Sequence, residues 1–435
     1  MLVVPAAVFL WGVVSARLER ADLSAPVVFV AVGAVLAAVG LVDATTAPET
    51  LKPLVEITLV WVLFADAARV RVHDLRSDAG RYVRLLAIGL PMTMVAGWGL
   101  AAWLFPGLGL WLALLVGAAL APTDAALGTP VVTNPVVPSR LRRLINVESG
   151  LNDGIATPVV VFALAGAAST EGLTEAPGLA HALLELAIGV VVGVAVGAAG
   201  GWLLRRARGR GWVAEDFAGS AVLALALTTY AAALVVHGNG FVGAFCGGLA
   251  FAATAGRRGP AELVFTEQAG GLVSLLVWSA FGAIAVPILL DRATWAVALY
   301  AVLSLTVVRM VPVTLALIGS GLDLVTVSFI GWFGPRGLAS LVFALLALED
   351  LGPATDEAVA VIAGTVFLSV LAHGISAAPL AARYGRRAAA RGPERGGPVS
   401  DLPVRGLPRR RHPDRVGVER HAAGTAQVDP RPAQE

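Results

Sequence analysis

The feature that most constrains this chain is a series of long apolar segments that contain no charged residue. Ser24 to Val42 and Phe217 to Val236 are two of them, and similar segments recur through the first 384 of the 435 residues. About 18 or more apolar residues in a row suffice to cross the hydrocarbon core of a bilayer as a helix. Strands of a membrane barrel would instead alternate apolar and polar residues, whereas Ile188 to Ala199 is apolar on every side. The sequence therefore predicts an all-α polytopic membrane protein.

Thirteen windows divide the apolar part of the chain, and we predict about thirteen transmembrane helices. The windows are 1–16, 24–42, 53–69, 85–105, 108–132, 144–167, 179–204, 217–236, 239–255, 264–290, 294–318, 323–348 and 357–384. Arginine clusters such as Arg205 to Arg210 occupy the odd-numbered connections, whereas connection six carries Glu171 and Glu175. Because cytoplasmic loops are enriched in Lys and Arg, we expect the N-terminus outside and the C-terminus in the cytoplasm.

The remaining composition adds little chemistry outside the membrane. The net charge of +2 gives no reason to expect a nucleic-acid partner, and Cys246 is the only cysteine. The histidines lack the spacing of a metal site, so we expect no cofactor. Residues 385–435 are rich in Arg, Pro and Gly, and such a composition predicts a disordered cytoplasmic tail.

Four charged residues lie deep inside the windows. Asp124 is in window five, Glu148 and Asp153 are in window six, and Arg309 is in window eleven. Each charge at mid-bilayer costs about 2.5–3.5 kcal/mol on insertion scales. Such residues persist where they are paired, solvated or functional, and three carboxylates with one arginine leave a net negative cluster. The cluster favours a cation as its ligand.

Window six places several oxygen ligands on one helical face. Successive helical residues turn by about 100°, so Ser149, Asn152 and Asp153 share a face and Glu148 lies beside Asn152. This face offers carboxylate, hydroxyl and amide groups, which suit a hard cation, and no thiolate or imidazole. The pattern predicts a site for a monovalent cation.

Windows five and twelve carry matching interruptions. Pro122 stands in Ala121-Pro122-Thr123-Asp124, and Pro335 stands in Gly334-Pro335-Arg336-Gly337. Proline removes a backbone donor and disfavours a straight helix. Interrupted segments at corresponding positions of two halves are typical of inverted-repeat transporters, in which unwound carbonyls coordinate the ion. We therefore expect broken helices at positions 5 and 12.

Each of these residues also has a structural interpretation. Asp153 could make a helix–helix hydrogen bond, and Asp124 could cap a broken helix. Glu148 and Arg309 could form a purely structural ion pair, and Arg336 could cap a helix or extend to the membrane surface. For four carboxylates nearer the window ends, interfacial or interhelical pairing is favoured. These are Glu56, Asp66, Glu185 and Glu267.

The motifs in series resemble the signature of the sodium/proton exchangers of the monovalent cation:proton antiporter superfamily, NhaP-type branch. The resemblance covers residues 1–384 in motif order and helix count. It rests on Ala121 to Asp124, Val147 to Gly154, Arg309, and Gly334 to Gly337. Ala125 departs from the pattern, because the family often has proline there.

The resemblance implies an obligate exchanger, usually a homodimer, in the inner membrane. It would exchange Na⁺, with Li⁺ or K⁺ as options, for protons by alternating access. Helices 4–6 and 11–13 would form a mobile core, and helices 1–3 and 7–10 a dimerisation domain. A cation channel and an intramembrane aspartyl protease are the alternatives: a channel needs a filter that we do not find, and a protease needs a carboxylate dyad such as Asp124 with Asp153.

The resemblance also implies roles for individual residues. Asp153 would be the ion-binding carboxylate, assisted by Asp124, Ser149 and the backbone carbonyl of Thr123, so that these four would hold Na⁺. Arg336 would belong to the supporting residues, among which Asn152 would brace the broken helix through Thr123 and Glu148 would pair with Arg309. The Asn152–Asp153 pair resembles the electroneutral branch, which implies one proton per cation.

Overall fold

The chain is described by a computed structural model in which every regular element is a helix. The residues it describes are 3–19, 24–41, 47–70, 78–124, 127–173, 179–256 and 260–390. Within them, each of the thirteen windows contains helix. The helices are α1 (Val3–Glu19), α2 (Ala25–Ala38), α3 (Ala47–Arg69), α4 (Ala79–Leu104), α5 (Gly109–Ala119 as α5a and Thr129–Val132 as α5b), α6 (Ser139–Thr170), α7 (Leu179–Gly209), α8 (Glu215–Val235), α9 (Gly240–Thr254), α10 (Pro260–Asp291), α11 (Trp295–Ala316), α12 (Leu324–Trp332 as α12a and Leu338–Leu351 as α12b) and α13 (Asp356–Ala390).

Helices α5 and α12 are broken where the sequence predicts, and two further helices are irregular. Residues 333–337 separate the halves of α12. Helix α11 is interrupted at Thr306, and α4 contains a π-helical turn at Arg84–Gly89. Helices α4 and α11 are therefore irregular in addition to the two predicted breaks in α5 and α12.

Helix α13 is longer than predicted, since it continues past Tyr384 to Ala390, the last of the described residues. The reason is packing, because a Cβ at Gly385 would lie 1.9 Å from Val136 Cγ1 and the helix is in close contact there. Arg387 also lies 3.9 Å from Asp323 at the start of α12a. The predicted disorder of the tail falls on residues 391–435, which lie outside the described residues.

The helices have the length and surface of membrane spans. Seven helical stretches among the described residues are long and apolar enough to cross a bilayer, one of them containing both α12b and α13, and four shorter apolar helices accompany them. Large apolar side chains such as Phe9, Val191 and Leu203 are exposed, as lipid contact permits. The chain is a multi-pass membrane protein.

Close helix packing in this fold relies on small residues. Helix α7 packs along α9, and a Cβ at Gly193 would lie 2.3 Å from the carbonyl oxygen of Gly243. At Gly197 the corresponding distance to the Gly247 oxygen is 2.1 Å. Glycines that let backbones approach are a recurrent device of membrane helix pairs.

Charged residues at the helix ends connect elements that are distant in sequence. Lys52 Nζ of α3 lies 3.1 Å from Glu349 Oε1 and 3.0 Å from Asp350 Oδ1 of α12b. At the start of α4, Asp78 contacts Arg81 at 2.7 Å and Arg140 of α6 at 2.9 Å. Burial raises the pKa of the Asp78 carboxyl, but hydrogen bonds and charge from Arg140 and Arg81 outweigh it, so the pKa lies below its ordinary value.

Candidate cation-binding site

The breaks of α5 and α12 meet, and Asp124 joins them. The backbone N–H of Asp124 donates to the carbonyl of Pro335 at 2.7 Å, and Oδ2 of Asp124 accepts from the backbone N–H of Leu338 at 3.1 Å. Leu338 begins α12b, so this carboxylate caps a helix N-terminus and meets the positive end of its dipole. Asp124 thus takes the capping position, although it caps α12b and not its own helix.

Two glycines allow this crossing. A Cβ at Gly337 would lie 2.2 Å from Asp124 Oδ2. A Cβ at Gly334 would lie 2.6 Å from Arg309 Nε and 2.8 Å from Thr123 Cγ2. At distances under 3 Å a Cβ would displace these side chains from their present contacts. The glycines on either side of Pro335-Arg336 are therefore required by proximity to α5 and α11.

Arg336 is buried at the crossing, with 0% of its surface exposed. Its Nη1 donates to the carbonyls of Ala121 at 2.6 Å and Pro122 at 3.0 Å. Extension to the membrane surface, one of the two interpretations of Arg336, is therefore wrong. The physical reason is that the carbonyls after α5a have no helical partners and carry the negative end of its dipole, which a guanidinium neutralises.

Thr123 lies at the centre of a cluster of hydroxyl and amide groups. Asn152 Nδ2 donates to Thr123 Oγ1 at 2.8 Å, and Thr123 Oγ1 lies 2.9 Å from Ser149 Oγ. Asn152 is 0% exposed, and its Oδ1 accepts no hydrogen bond from the described residues. A buried acceptor without a donor costs free energy, which an ion bound beside it would offset. The α6 face that the sequence predicts is therefore turned toward the α5 break.

Asp153 lies one turn beyond Ser149 on the same face of α6 and is 6% exposed. Its backbone carbonyl accepts from Thr157 Oγ1 at 2.7 Å. A Cβ at the next residue, Gly154, would lie 2.1 Å from the ring of Phe245, so α9 packs directly against α6 at this level. Asp153 is thus buried one helical turn from Ser149 and close to the contact between α6 and α9.

Glu148 and Arg309 form an ion pair below the surface, each with 1% of its side chain exposed. Arg309 Nη2 lies 2.8 Å from Oε1 and 2.9 Å from Oε2, and only the contact to Oε2 has the geometry of a hydrogen bond. Each charge is compensated by the other, because an isolated charge in this position would be costly.

The structure brings Thr123, Ser149 and Asn152 into contact, and it adds residues that the sequence analysis missed. Ser340 Oγ donates to the carbonyl of Ala119 at the end of α5a at 2.6 Å. Ser369 and His373 of α13 contact the α12 break. Their spacing with Ser376, at i, i+4 and i+7, was a readable signal of a polar face.

Three of the other carboxylates have partners: Glu56 has one on another helix, whereas Asp66 and Glu185 each have one a turn away on their own helix. Asp66 lies 3.0 Å from Arg69, Glu185 lies 3.1 Å from His181, and Tyr230 donates to Glu56 at 3.2 Å. The side chain of Glu267 lies outside the described residues.

Comparison with known proteins places this geometry in context. The family model for sodium/hydrogen exchangers, transmembrane, matches residues 3–383. The chain is 38% identical over 135 residues to the Na⁺/H⁺ antiporter ApNhaP of Aphanothece halophytica, which is 31% of this chain and 25% of that protein. It is 28% identical over 195 residues to the K⁺/H⁺ antiporter NhaP2 of Shewanella sp. strain ANA-3, covering 44% and 33%.

The matched segments therefore span a third or less of those relatives. A solved structure covers the fold more fully. The sodium proton antiporter MjNhaP1 of Methanocaldococcus jannaschii at pH 8 matches with a TM-score of 0.71 and 19% identity, over 88% of this chain and 97% of that one. The fold of the chain is that of an inverted-repeat antiporter.

Proposed function

Because the chain belongs to the family of transmembrane sodium/hydrogen exchangers, we propose that it exchanges a monovalent cation for protons by alternating access. The observation that carries the proposal is the buried cluster of Thr123, Ser149, Asn152 and Asp153, at a broken helix inside an apolar bundle. Hydroxyl, amide and carboxylate oxygens are ligands for a hard cation. Unwound backbone at mid-membrane is tolerated where it surrounds such a site.

In this mechanism Asp153 carries either the cation or the proton. Ser149, Asp124 and the Thr123 carbonyl complete the ligand set, and Asn152 holds Thr123 in place. The empty anionic site is too costly to cross the apolar barrier, so a core that changes orientation must be loaded. Competition for one carboxylate then gives antiport with one proton per cation, and no cofactor is required.

Sodium is the first choice of substrate, and potassium or lithium is the alternative. The names of the similar proteins support both sodium and potassium, because one is a Na⁺/H⁺ and another a K⁺/H⁺ antiporter.

The mobile core comprises α4–α6 and α11–α13, and α1–α3 with α7–α10 form the contact of a homodimer. The arginine pattern supports a cytoplasmic C-terminus in the cell membrane. Labelling from either side of cysteines introduced at Glu171 and Arg386, in a Cys246→Ser background, tests this orientation.

A carboxylate dyad receives less support. Asp124 uses one oxygen to cap α12b, whereas a protease dyad needs two carboxylates that share a proton. The arginine that binds the α5 carbonyls would also have no role in peptide cleavage. Exchange without proteolysis is therefore the expected activity.

The test is transport by purified protein in proteoliposomes, with Na⁺, K⁺ or Li⁺ added against an imposed pH gradient. We expect proton flux with at least one of these cations, little effect of membrane potential, and an apparent cation affinity that weakens as pH falls. Asp153→Asn should abolish exchange and leave the protein folded, because the amide is isosteric and uncharged. Robust cation-driven proton flux in Asp153→Asn would refute the assignment.

A further inference from the structure

A polar stripe runs along the face of α13 that contacts α12. Its members are Ser369, His373 and Ser376, spaced i, i+4 and i+7 and therefore on one side of the helix. Ser369 is fully buried, and His373 is 2% exposed. Buried polar groups in an apolar bundle are retained where they make hydrogen bonds or have a function, and nothing in the proposed ion site uses these three.

The stripe holds the last residue of α12a at two points. His373 Nε2 lies 2.8 Å from the carbonyl oxygen of Trp332, and Trp332 Nε1 donates to Ser376 Oγ at 3.0 Å. The carbonyl of Trp332, at the C-terminus of α12a, also accepts from the backbone N–H of Gly334 at 2.8 Å, so the histidine makes a second contact with this oxygen.

Ser369 holds the other side of the same break. The backbone N–H of Arg336 donates to Ser369 Oγ at 2.7 Å, and this oxygen lies 3.2 Å from His373 Nδ1. Nδ1 also lies 2.8 Å from the carbonyl oxygen of Ser369. Ser369 and His373 thus contact the α12 chain on both sides of Pro335, at Trp332 before it and at Arg336 after it.

The first half of the molecule repeats this arrangement. Thr123 follows Pro122 in α5 as Arg336 follows Pro335 in α12. A serine contacts each of them: Ser149 of α6 contacts the hydroxyl of Thr123, and Ser369 of α13 accepts from the backbone N–H of Arg336. Asp153 stands four residues after Ser149, and His373 stands four residues after Ser369. The inverted repeat therefore places His373 at the position that corresponds to the ion-binding carboxylate.

We propose that His373 and Ser369 are positioning residues for exchange, which hold the α12 break so that Arg336 stays on the α5 carbonyls. The connection is continuous: His373 and Ser369 fix residues 333–337, Arg336 binds the carbonyls of Ala121 and Pro122, and Thr123 follows directly. Neither residue contacts the ion. The inference rests on the proposed function, and it predicts an effect on turnover and not on ion binding.

The test measures exchange rate against cation concentration in proteoliposomes for His373→Ala, Ser369→Ala and the double variant. We expect His373→Ala to lower the maximal rate about tenfold, the kinetic equivalent of one or two lost hydrogen bonds. The cation KM should stay within about twofold of the wild-type value, since the substitutions remove no contact with the bound cation. The double variant should be no slower than the slower single variant, because the two residues act as one unit.

His373→Gln keeps a donor and an acceptor and should retain more activity than His373→Ala. If His373→Ala does not fold, His373→Gln and Ser369→Ala still decide the question. His181→Ala is the matched control, because it removes an imidazole that is 70% exposed on α7. A wild-type protein without exchange would refute the proposed function. If the wild type is active, two results would overturn only this inference. One is a wild-type rate in the His373 and Ser369 variants, and the other is a raised KM in these variants at an unchanged maximal rate.

Discussion

Glu148 and Arg309 show what one buried ion pair means for stability. Removing one partner of such a pair costs about 3–5 kcal/mol, because the other charge is left buried and alone. We expect Glu148→Ala and Arg309→Ala each to lower the unfolding temperature in detergent, and the double change to cost less than the sum. Arg292→Ala serves as the control, since Arg292 is half exposed at 3.6 Å from Asp356 and such pairs contribute about 0–1 kcal/mol. Additive losses would show that Glu148 and Arg309 do not stabilise each other.

Asp78 gives a pH dependence whose sign follows from its depressed pKa. A carboxyl group that titrates lower in the folded state stabilises the protein above its unfolded pKa of about 3.9. That stabilisation is lost as pH falls through the folded pKa. We therefore expect Asp78→Asn to lower the unfolding temperature at pH 7 and to resemble the wild type in strong acid. Asp291→Asn, at an exposed position, should have little effect at either pH, and an equal loss in both variants would contradict the assignment.

The charged residues of the site could be identified from the sequence because a charge in an apolar helix requires a partner or a function. The sequence predicted the partner of Arg309 but not the partners of Arg336. Glu148 and Arg309 were the complementary charges available, but the carbonyls that bind Arg336 belong to another broken helix. Backbone carbonyls have no sequence signature, so the position of Arg336 could not be deduced.

At the scale of helices, the contact between α7 and α9 depends on the absence of a side chain at Gly193. A Cβ there would meet the backbone oxygen of Gly243 at 2.3 Å, and a backbone cannot rotate away as a side chain can. We expect Gly193→Ala to destabilise the protein by about 1–3 kcal/mol, the usual cost of overpacking. Thermal unfolding measures this.

Gly209→Ala is the control for that experiment. Gly209 ends the same helix, and a Cβ there would have nothing within 4 Å. The alanine there should be neutral or slightly stabilising, since alanine has the higher helix propensity. Equal losses in both variants would contradict the packing argument, because helix propensity favours alanine at both positions.

Proline alone did not predict which helices break. Pro158, Pro287 and Pro379 lie inside continuous helices, whereas Pro122 and Pro335 interrupt theirs. The difference is that the second pair stands among polar residues and glycines that contact other helices, as Thr123 contacts α6 and Asp124 contacts α12b. The interruption of α11 at Thr306 has no proline beside it, and the sequence offered no signal for it.

For the whole molecule, the number of helices was the most predictable quantity. It follows from apolar length and from the alternation of arginine between connections, both of which are local properties of the chain. The lengths of individual helices were less predictable. Helix α13 extends to Ala390 because Gly385 packs on Val136, a contact between residues far apart in sequence.

The contact of Lys52 with Glu349 and Asp350 makes part of the free energy of unfolding depend on the salt concentration of the medium. Lys52 and Asp350 are about two-fifths exposed, and at 0.15 M salt charges are screened over about 8 Å. Rising salinity therefore weakens the link between α3 and α12b. We expect choline chloride to lower the unfolding temperature of the wild type more than that of Lys52→Gln, and equal slopes would contradict this. In an exchanger with such a contact, the stability of the helix bundle depends on the ionic strength of its environment.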